Sequence, residues 1–150
     1  VILPFSSVIK EAALFSTRDF PYGSQTLWPD HCVQGTPGAA FNADLQVTKA
    51  EMVVRKGFHP GIDSYSAFRE NDRVTRTGLD GYLKERGFTR LVMCGLALDY
   101  CVGWSALDAR RAGFEVTVVQ PATAAIDLDG SKARMLTEMR QAGIKLDAAL

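Results

Sequence analysis

The pattern of apolar and polar positions is clearest from residue 50 onward, where four stretches predict strands. "TRLVMCGLAL" (89–98) is an unbroken apolar run, which predicts a strand buried on both faces of a sheet. "EMVVRK" (51–56) and "EVTVVQ" (115–120) are rich in β-branched residues and predict two more strands. "IKLDAAL" (144–150) predicts a last strand at the edge of the sheet.

Helical spacing of apolar residues alternates with these strands. It predicts helices within "TGLDGYLKERG" (77–87), from Cys101 to Arg111, and within "SKARMLTEMRQAG" (131–143), each with a glycine close to its carboxyl end. This alternation predicts an α/β fold of the three-layer, Rossmann-like kind, a parallel β-sheet flanked by helices on both faces. The first 49 residues are less regular, and "SSVIKEAALFSTRDF" (6–20) predicts a helix that runs almost directly into a strand.

Length, charge and cysteine count narrow the class of protein. A chain of 150 residues predicts one domain, residues 1–150, with a core of its own. Lys and Arg together number 17, as do Asp and Glu, so no nucleic-acid or acidic membrane partner is expected. The sequence contains no apolar run of the ~20 residues that a membrane span needs. Three cysteines, an odd number, predict reduced thiols and a cytoplasmic protein.

Two reactive side chains follow predicted strands. Lys56 ends one strand, and the long apolar run leads directly to Cys101. Parallel sheets bind ligands beyond the carboxyl ends of their strands, so we expect Lys56 and Cys101 at the same edge of the sheet. A cysteine at a helix N-terminus beside a lysine ammonium is favoured as a thiolate nucleophile. The alternative is that Cys101 is a small apolar side chain packed against the sheet.

Other candidates each have a structural alternative. Asp99 is interpreted first as the N-cap of the helix that follows it. His31 is either a surface loop residue or a metal ligand acting with a distant carboxylate such as Asp19. Trp28 anchors its loop or lines a site, and Cys94, in the middle of the apolar run, is expected in the core.

Three segments resemble a known family. "TLWPDHCVQGTPGA", "RKGFHPGIDSYSAF" and "GLALDYCVGWSALDARRAGF" are similar to segments of the nicotinamidases, which belong to the isochorismatase-like cysteine hydrolases. The resemblance keeps the order of the motifs and covers about Ser16 to Gly143. "WPDHCVQ" is specific to the nicotinamidases, whereas the cysteine segment is shared across the superfamily.

The resemblance implies roles for individual residues. Cys101 would be the nucleophile and Lys56 the catalytic lysine. A cis peptide would join Leu96 to Ala97 and turn the amides of Ala97 and Cys101 toward an oxyanion. The substrate ring would lie among Trp28, Tyr65, Leu96, Ala97 and Tyr100, and the metal ligands would be Asp19 and His31.

The resemblance also implies a reaction and a cofactor. A divalent metal would bind the ring nitrogen of nicotinamide, or of pyrazinamide, while the thiolate attacks the carboxamide. Ammonia would leave through a thioester, which water then converts to nicotinate in the salvage of NAD. Zinc is expected, with iron or manganese as alternatives, since all three accept mixed histidine and carboxylate ligands. A homo-oligomer stays open.

The sequence departs from the family in two places. The family's N-terminal Asp-x-Gln-Asn-Asp-Phe segment, which carries the catalytic aspartate, is absent, and Pro21 stands where a histidine ligand is expected. We expect the sequence to be discontinuous, with segments missing at the start and near Phe20. The rival explanation is a true deletion, which would leave a non-catalytic relative. A separate alternative for the function is a cysteine amidase that acts on another small amide.

Overall fold

The structure is a computed structural model, and it describes residues 13–148. In that range the strands are β1 (Thr17–Phe20), β2 (Gly23–Thr26), β3 (Arg90–Leu96), β4 (Glu115–Ala124) and β5 (Lys145–Asp147). The helices are α1 (Leu79–Glu85), α2 (Gly103–Arg111) and α3 (Ser131–Gln141), and a π-helical turn (Leu98–Val102) leads into α2. The helix predicted before β1 falls mainly on residues 6–12, outside the described residues.

The central layer is a parallel sheet in the order β3–β4–β5. Its register places Leu91 opposite Val116 and Met93 opposite Val118, so apolar side chains of neighbouring strands share one face. Val118 and Met139 of α3 are completely buried in the resulting core. This arrangement confirms the predicted α/β fold class. Within residues 13–148 no helix is long and apolar enough to cross a membrane.

The outer position of β3 corrects one prediction. Val92 is 74% exposed and Leu96 is 72% exposed, and Cys94 between them is also exposed. The prediction of a strand buried on both faces, with Cys94 in the core, is therefore wrong for the described residues. The physical reason is that these alternate side chains point to one face of β3, and no described element covers that face.

The segment Glu51–Lys56 corrects another prediction, because it forms no strand. Its β-branched residues favour an extended chain, but a strand exists only where a neighbour completes the backbone hydrogen bonds. At the other end of the chain the predicted edge strand is confirmed as the short β5.

The helices end where their glycines predict. Gly87, Gly113 and Gly143 adopt φ values of 74°, 98° and 72°, and each lies two residues past the last helical residue. A side chain is disfavoured in this left-handed region, whereas glycine adopts it freely.

Candidate active site

Cys101 lies in the π-helical turn between the carboxyl end of β3 and the first turn of α2. The peptide between Leu96 and Ala97 is cis, as the family resemblance implies. After it, the carbonyl of Ala97 accepts hydrogen bonds from the amides of Tyr100 (3.1 Å) and Val102 (3.0 Å). The turn holds Cys101 half-buried beside a cavity. A thiol is thus presented at the carboxyl edge of the parallel sheet, where α/β folds bind ligands.

Lys56 reaches this thiol from a separate segment. Its Nζ lies 3.4 Å from the Sγ of Cys101 and donates a hydrogen bond of 2.7 Å to the carbonyl of Ser64. The turn after Lys56 is fixed by Glu70, whose buried carboxylate accepts from the amides of Gly57 and Phe58. The predicted meeting of Lys56 and Cys101 is therefore present, although the strand expected to deliver Lys56 is absent.

Asp99 does not cap its own helix, which corrects the prediction. Its buried carboxylate accepts from the amides of Ile126 and Asp127 and from the hydroxyl of Ser131. Burial raises the pKa of this carboxyl, but these hydrogen bonds outweigh burial and leave the pKa below its ordinary value. The reason for the difference is that the turn is π-helical, and the carboxylate points across to the start of α3.

Aromatic side chains line a cavity of about 580 Å³ next to Cys101. Trp28 and Tyr100 meet edge to face with ring centroids 4.7 Å apart, and Tyr65 and Tyr100 meet at 5.4 Å. The predicted ring-binding residues Trp28, Tyr65, Leu96, Ala97 and Tyr100 all lie on its wall. A small planar ring fits such a wall, because aromatic pairs favour offset and edge contacts. Their contact with a substrate stays a prediction.

His31 lies on the wall of the same cavity. Its Nδ1 is 2.6 Å from the carbonyl of Pro29, which only accepts, so Nδ1 carries the proton and a neutral ring leaves Nε2 as a free lone pair. Asp19 instead lies exposed in the β1–β2 hairpin, opposite Ser24. Among residues 13–148 no three His, Cys, Asp or Glu side chains form a group that could hold a metal ion. The described residues therefore do not make a complete metal site.

Three polar residues behind the cavity were missed by the sequence predictions. Gln25, Asp63 and Asn71 are buried and joined by hydrogen bonds, and the network includes the hydroxyl of Tyr65. Burial raises the pKa of Asp63, an effect that the Ser64 amide and the charge of Lys56 partly oppose. Gln25 and Asp63 lie in or next to the quoted motifs, so their positions were the available signal. Which rings they contact depends on the fold.

Comparison with known proteins identifies the family to which this chain is similar. Residues 6–148 match the isochorismatase domain family. A nicotinamidase of Acinetobacter baylyi is 50% identical over 131 residues, which are 87% of this chain and 61% of that protein. The chain spans about three fifths of the length of the curated relatives it matches.

Solved structures agree with the sequence relatives. The structure of a nicotinamidase and pyrazinamidase from Acinetobacter baumanii superposes with a TM-score of 0.93 at 46% identity, over 96% of this chain and 70% of that one. A pyrazinamidase of Pyrococcus horikoshii, solved in complex with zinc, superposes with a TM-score of 0.69 at 38% identity, over 81% of this chain and 63% of that one. These matches agree with the layered α/β fold described above.

Proposed function

The chain belongs to the isochorismatase domain family, and from that premise we propose that it hydrolyses nicotinamide to nicotinate and ammonia. The observation that carries the proposal is the contact of Lys56 Nζ with Cys101 Sγ at 3.4 Å beside an aromatic cavity. An ammonium in contact with sulfur stabilises the thiolate, which is the reactive form of the thiol. The cavity accepts a single planar ring, so pyrazinamide is a second expected substrate.

Two covalent steps make up the proposed reaction. The Cys101 thiolate attacks the carboxamide carbon, the C–N bond breaks, and the nitrogen leaves as ammonia with the proton of the thiol. Water then attacks the thioester carbon, the C–S bond breaks, one water proton restores the thiol, and nicotinate leaves with release of the other proton to solvent. We propose that the amides of Ala97 and Cys101 hold the oxyanion, because such donors favour charge that develops during acyl transfer. The family resemblance assigns the proton transfer to an aspartate that this sequence lacks.

A divalent metal is part of the proposal, with zinc expected and iron or manganese as alternatives. His31 supports it through its free Nε2, and the zinc-bound Pyrococcus neighbour supports it by similarity. The ligand role of Asp19 stays a prediction. No step above is assigned to the metal, because the described residues supply too few ligands for it. We also propose a cytoplasmic location, a role in NAD salvage and association with copies of itself.

The deciding experiment measures ammonia release from nicotinamide by the purified protein. We expect release by the parent chain and by Cys94→Ala, the matched control that removes an exposed thiol, and none by Cys101→Ala. Intact mass and circular dichroism check that the three proteins are whole and folded. Equal release by the parent and Cys101→Ala would refute the cysteine mechanism.

Substrate competition tests the alternatives. Nicotinamide and pyrazinamide should be hydrolysed in preference to acetamide, because only the ring amides fill the aromatic cavity. Preference for acetamide would favour an amidase for another small amide. No release from any amide by a folded, intact protein would favour a non-catalytic relative.

A further inference from the structure

A cluster of buried polar side chains lies behind the aromatic wall of the cavity, with none of its three members on the cavity surface. Gln25 of β2 is 3% exposed, and Asp63 and Asn71, from the loop before α1, are 4% and 8% exposed. Buried polar groups are retained where their hydrogen bonds are satisfied, and such networks hold their neighbours in one arrangement. The cluster joins two segments that are far apart in sequence.

The direction of each hydrogen bond follows from a single backbone donor. The amide of Tyr65 donates to the Oδ1 of Asn71 (2.9 Å), so the Nδ2 of Asn71 is the atom that faces Gln25. It donates to the Oε1 of Gln25 (2.8 Å), which turns the Nε2 of Gln25 toward Asp63. That nitrogen donates to the Oδ2 of Asp63 (2.7 Å), an acceptor when ionised. The orientation of Gln25 is thereby determined at both ends of its amide.

The same Nε2 of Gln25 donates to the hydroxyl of Tyr65. This hydroxyl also accepts a hydrogen bond of 2.8 Å from the Nε1 of Trp28. An indole N–H only donates, so Trp28 depends on the Tyr65 oxygen as its acceptor. Gln25 thus holds Tyr65, Tyr65 holds Trp28, and both rings belong to the cavity wall.

The lysine–cysteine pair is attached to the same segment by different bonds. Lys56 contacts the backbone carbonyl of Ser64, and the amide of Ala67 donates to Ser105 Oγ, which donates to the carbonyl of Cys101. None of these bonds involves the side chain of Gln25. Replacing Gln25 should therefore release the aromatic wall and leave the Lys56–Cys101 contact in place.

We infer that Gln25 is a positioning residue that sets selectivity for planar aromatic amides by fixing Tyr65 and Trp28 around the substrate ring. The inference rests on the proposed function for its substrate. Gln25 does not lie on the cavity wall, and its side chain reaches that wall through the hydroxyl of Tyr65.

The first test compares Gln25→Met, which keeps side-chain length and removes the amide, with Ser24→Ala at the exposed neighbouring position of β2. For Gln25→Met we expect KM for nicotinamide to rise about tenfold, the effect on the ring wall of losing the hydrogen bond to Tyr65, with kcat within about twofold. KM for acetamide and the rate of Cys101 alkylation should stay unchanged. Equal losses for both amides, or slower alkylation, would overturn the inference.

A double-mutant cycle separates positioning from general destabilisation. Tyr65→Phe removes the shared hydroxyl, so adding Gln25→Met to it should raise KM little further if the two act in one chain. Independent, additive effects would contradict the inference. Tyr65→Phe also serves alone if Gln25→Met does not fold, because it removes the acceptor of Trp28 and should raise the same KM.

A readout without substrate distinguishes failure of this inference from failure of the proposed function. Protein labelled with 5-fluorotryptophan carries two fluorines, one on each of its two tryptophans, and Trp28→Phe assigns the resonance of Trp28. We expect that ¹⁹F resonance to shift or broaden in Gln25→Met and to stay unchanged in Ser24→Ala. An unchanged resonance in Gln25→Met would overturn the inference, whether or not the parent hydrolyses nicotinamide.

Discussion

At the scale of single residues, the proposed chemistry rests on Cys101 and its contact with Lys56. The ammonium also donates to the Ser64 carbonyl, so its position is set by a backbone atom rather than by a mobile side chain. Its Nζ lies 3.4 Å from the sulfur of Cys101, and the proposed activation of the thiol rests on this contact. Lys56 and Cys101 lie in different turns of the chain, and hydrogen bonds from backbone amides fix each turn independently.

Replacing Lys56 should lower the rate at which the Cys101 thiol is alkylated, without unfolding the protein. For Lys56→Ala we expect alkylation of Cys101 by iodoacetamide near neutral pH to slow by about tenfold, because the thiolate loses its cationic neighbour. The exposed Cys94 is an internal reference that should react at an unchanged rate. Peptide mass spectrometry measures both rates in one sample. An unchanged rate at Cys101 would exclude Lys56 from activating it.

His31 lies on the cavity wall with its Nδ1 bound to a backbone carbonyl, and its proposed role as a metal ligand can be tested by metal retention. We expect His31→Ala to bind zinc at least about tenfold more weakly than the parent chain, since one ligand is lost. His59→Ala is the matched control, because His59 is exposed in a different loop. Zinc content after dialysis, measured by atomic emission, decides the question. A full metal content in His31→Ala would remove this residue from the proposed site.

At the scale of secondary structure elements, the cysteine turn is held by its contacts with α3. Asp99 joins the turn to Ser131, the first residue of α3, and Gly103 allows the two helices to approach closely. A β-carbon on Gly103 would lie 2.4 Å from the sulfur of Met135 and 2.8 Å from the carbonyl of Leu98. Asp99 and Gly103 of the motif around Cys101 therefore hold the turn against α3 and take no part in the proposed reaction.

The stability that the Asp99 carboxylate gives to this turn should depend on pH. Asp99→Asn replaces one acceptor oxygen by a donor, so we expect the free energy of unfolding at pH 7 to fall by about 1–3 kcal/mol. The pKa of Asp99 is lower in the folded protein than in the unfolded chain. Its contribution to the free energy of unfolding is therefore complete at a pH above the ordinary carboxyl pKa, and it is lost as the pH falls through the folded-state pKa.

Urea unfolding between pH 7 and pH 3 measures this effect. The parent and Asp99→Asn should converge in stability toward the acid end of the series. Asp129→Asn, at an exposed position of the nearby loop, should match the parent throughout. A constant difference between the parent and Asp99→Asn at every pH would contradict the assignment to the carboxylate.

At the scale of the whole molecule, the described sheet has an open edge beside the site. An apolar trench of about 460 Å³ lies along β3, between its exposed residues and Lys56. Its walls include Leu91, Met93 and Leu83 as well as Cys101. Exposed edges of this kind are normally paired or covered, because unpaired backbone groups and apolar side chains invite association.

We propose that a further strand, from a segment of the same protein outside the 150 residues of this sequence, covers this trench and completes the single domain. The chain spans only about three fifths of the length of its curated relatives, which supports such a segment. In a longer form of the chain we expect the β3 amides to exchange hydrogen at least about tenfold more slowly than in the 150-residue chain.

A charged side chain placed in the trench tests the proposed cover, with the same substitution outside the trench as its control. Val92→Lys should reduce this protection in the longer form, while Val74→Lys, at an equally exposed position outside the trench, should not. Equal exchange of the β3 amides in the short and long forms would contradict the proposal.

The sequence alone determined the parts of this protein that depend on local chemistry. Helical spacing and the positions of Gly87, Gly113 and Gly143 predicted α1, α2 and α3, because glycine is favoured where the chain turns left-handed. The sequence also predicted that Lys56 and Cys101 meet, but the strand expected to end at Lys56 is absent, so the contact itself was decided by the fold.

Strand pairing, side-chain burial and long-range hydrogen bonds were decided only by the tertiary structure, because each depends on residues that are distant in sequence. β-branched residues did not make Glu51–Lys56 a strand, because a strand requires a neighbouring strand. An apolar run did not bury Val92, because burial requires an element packed on its face of the sheet. Asp99 was predicted to cap its own helix and instead binds the start of α3, because hydrogen bonds form with the donors that folding brings near. Local pattern thus specified the helices and the reactive groups, and the packing of distant segments decided which extended segments pair and what each group touches.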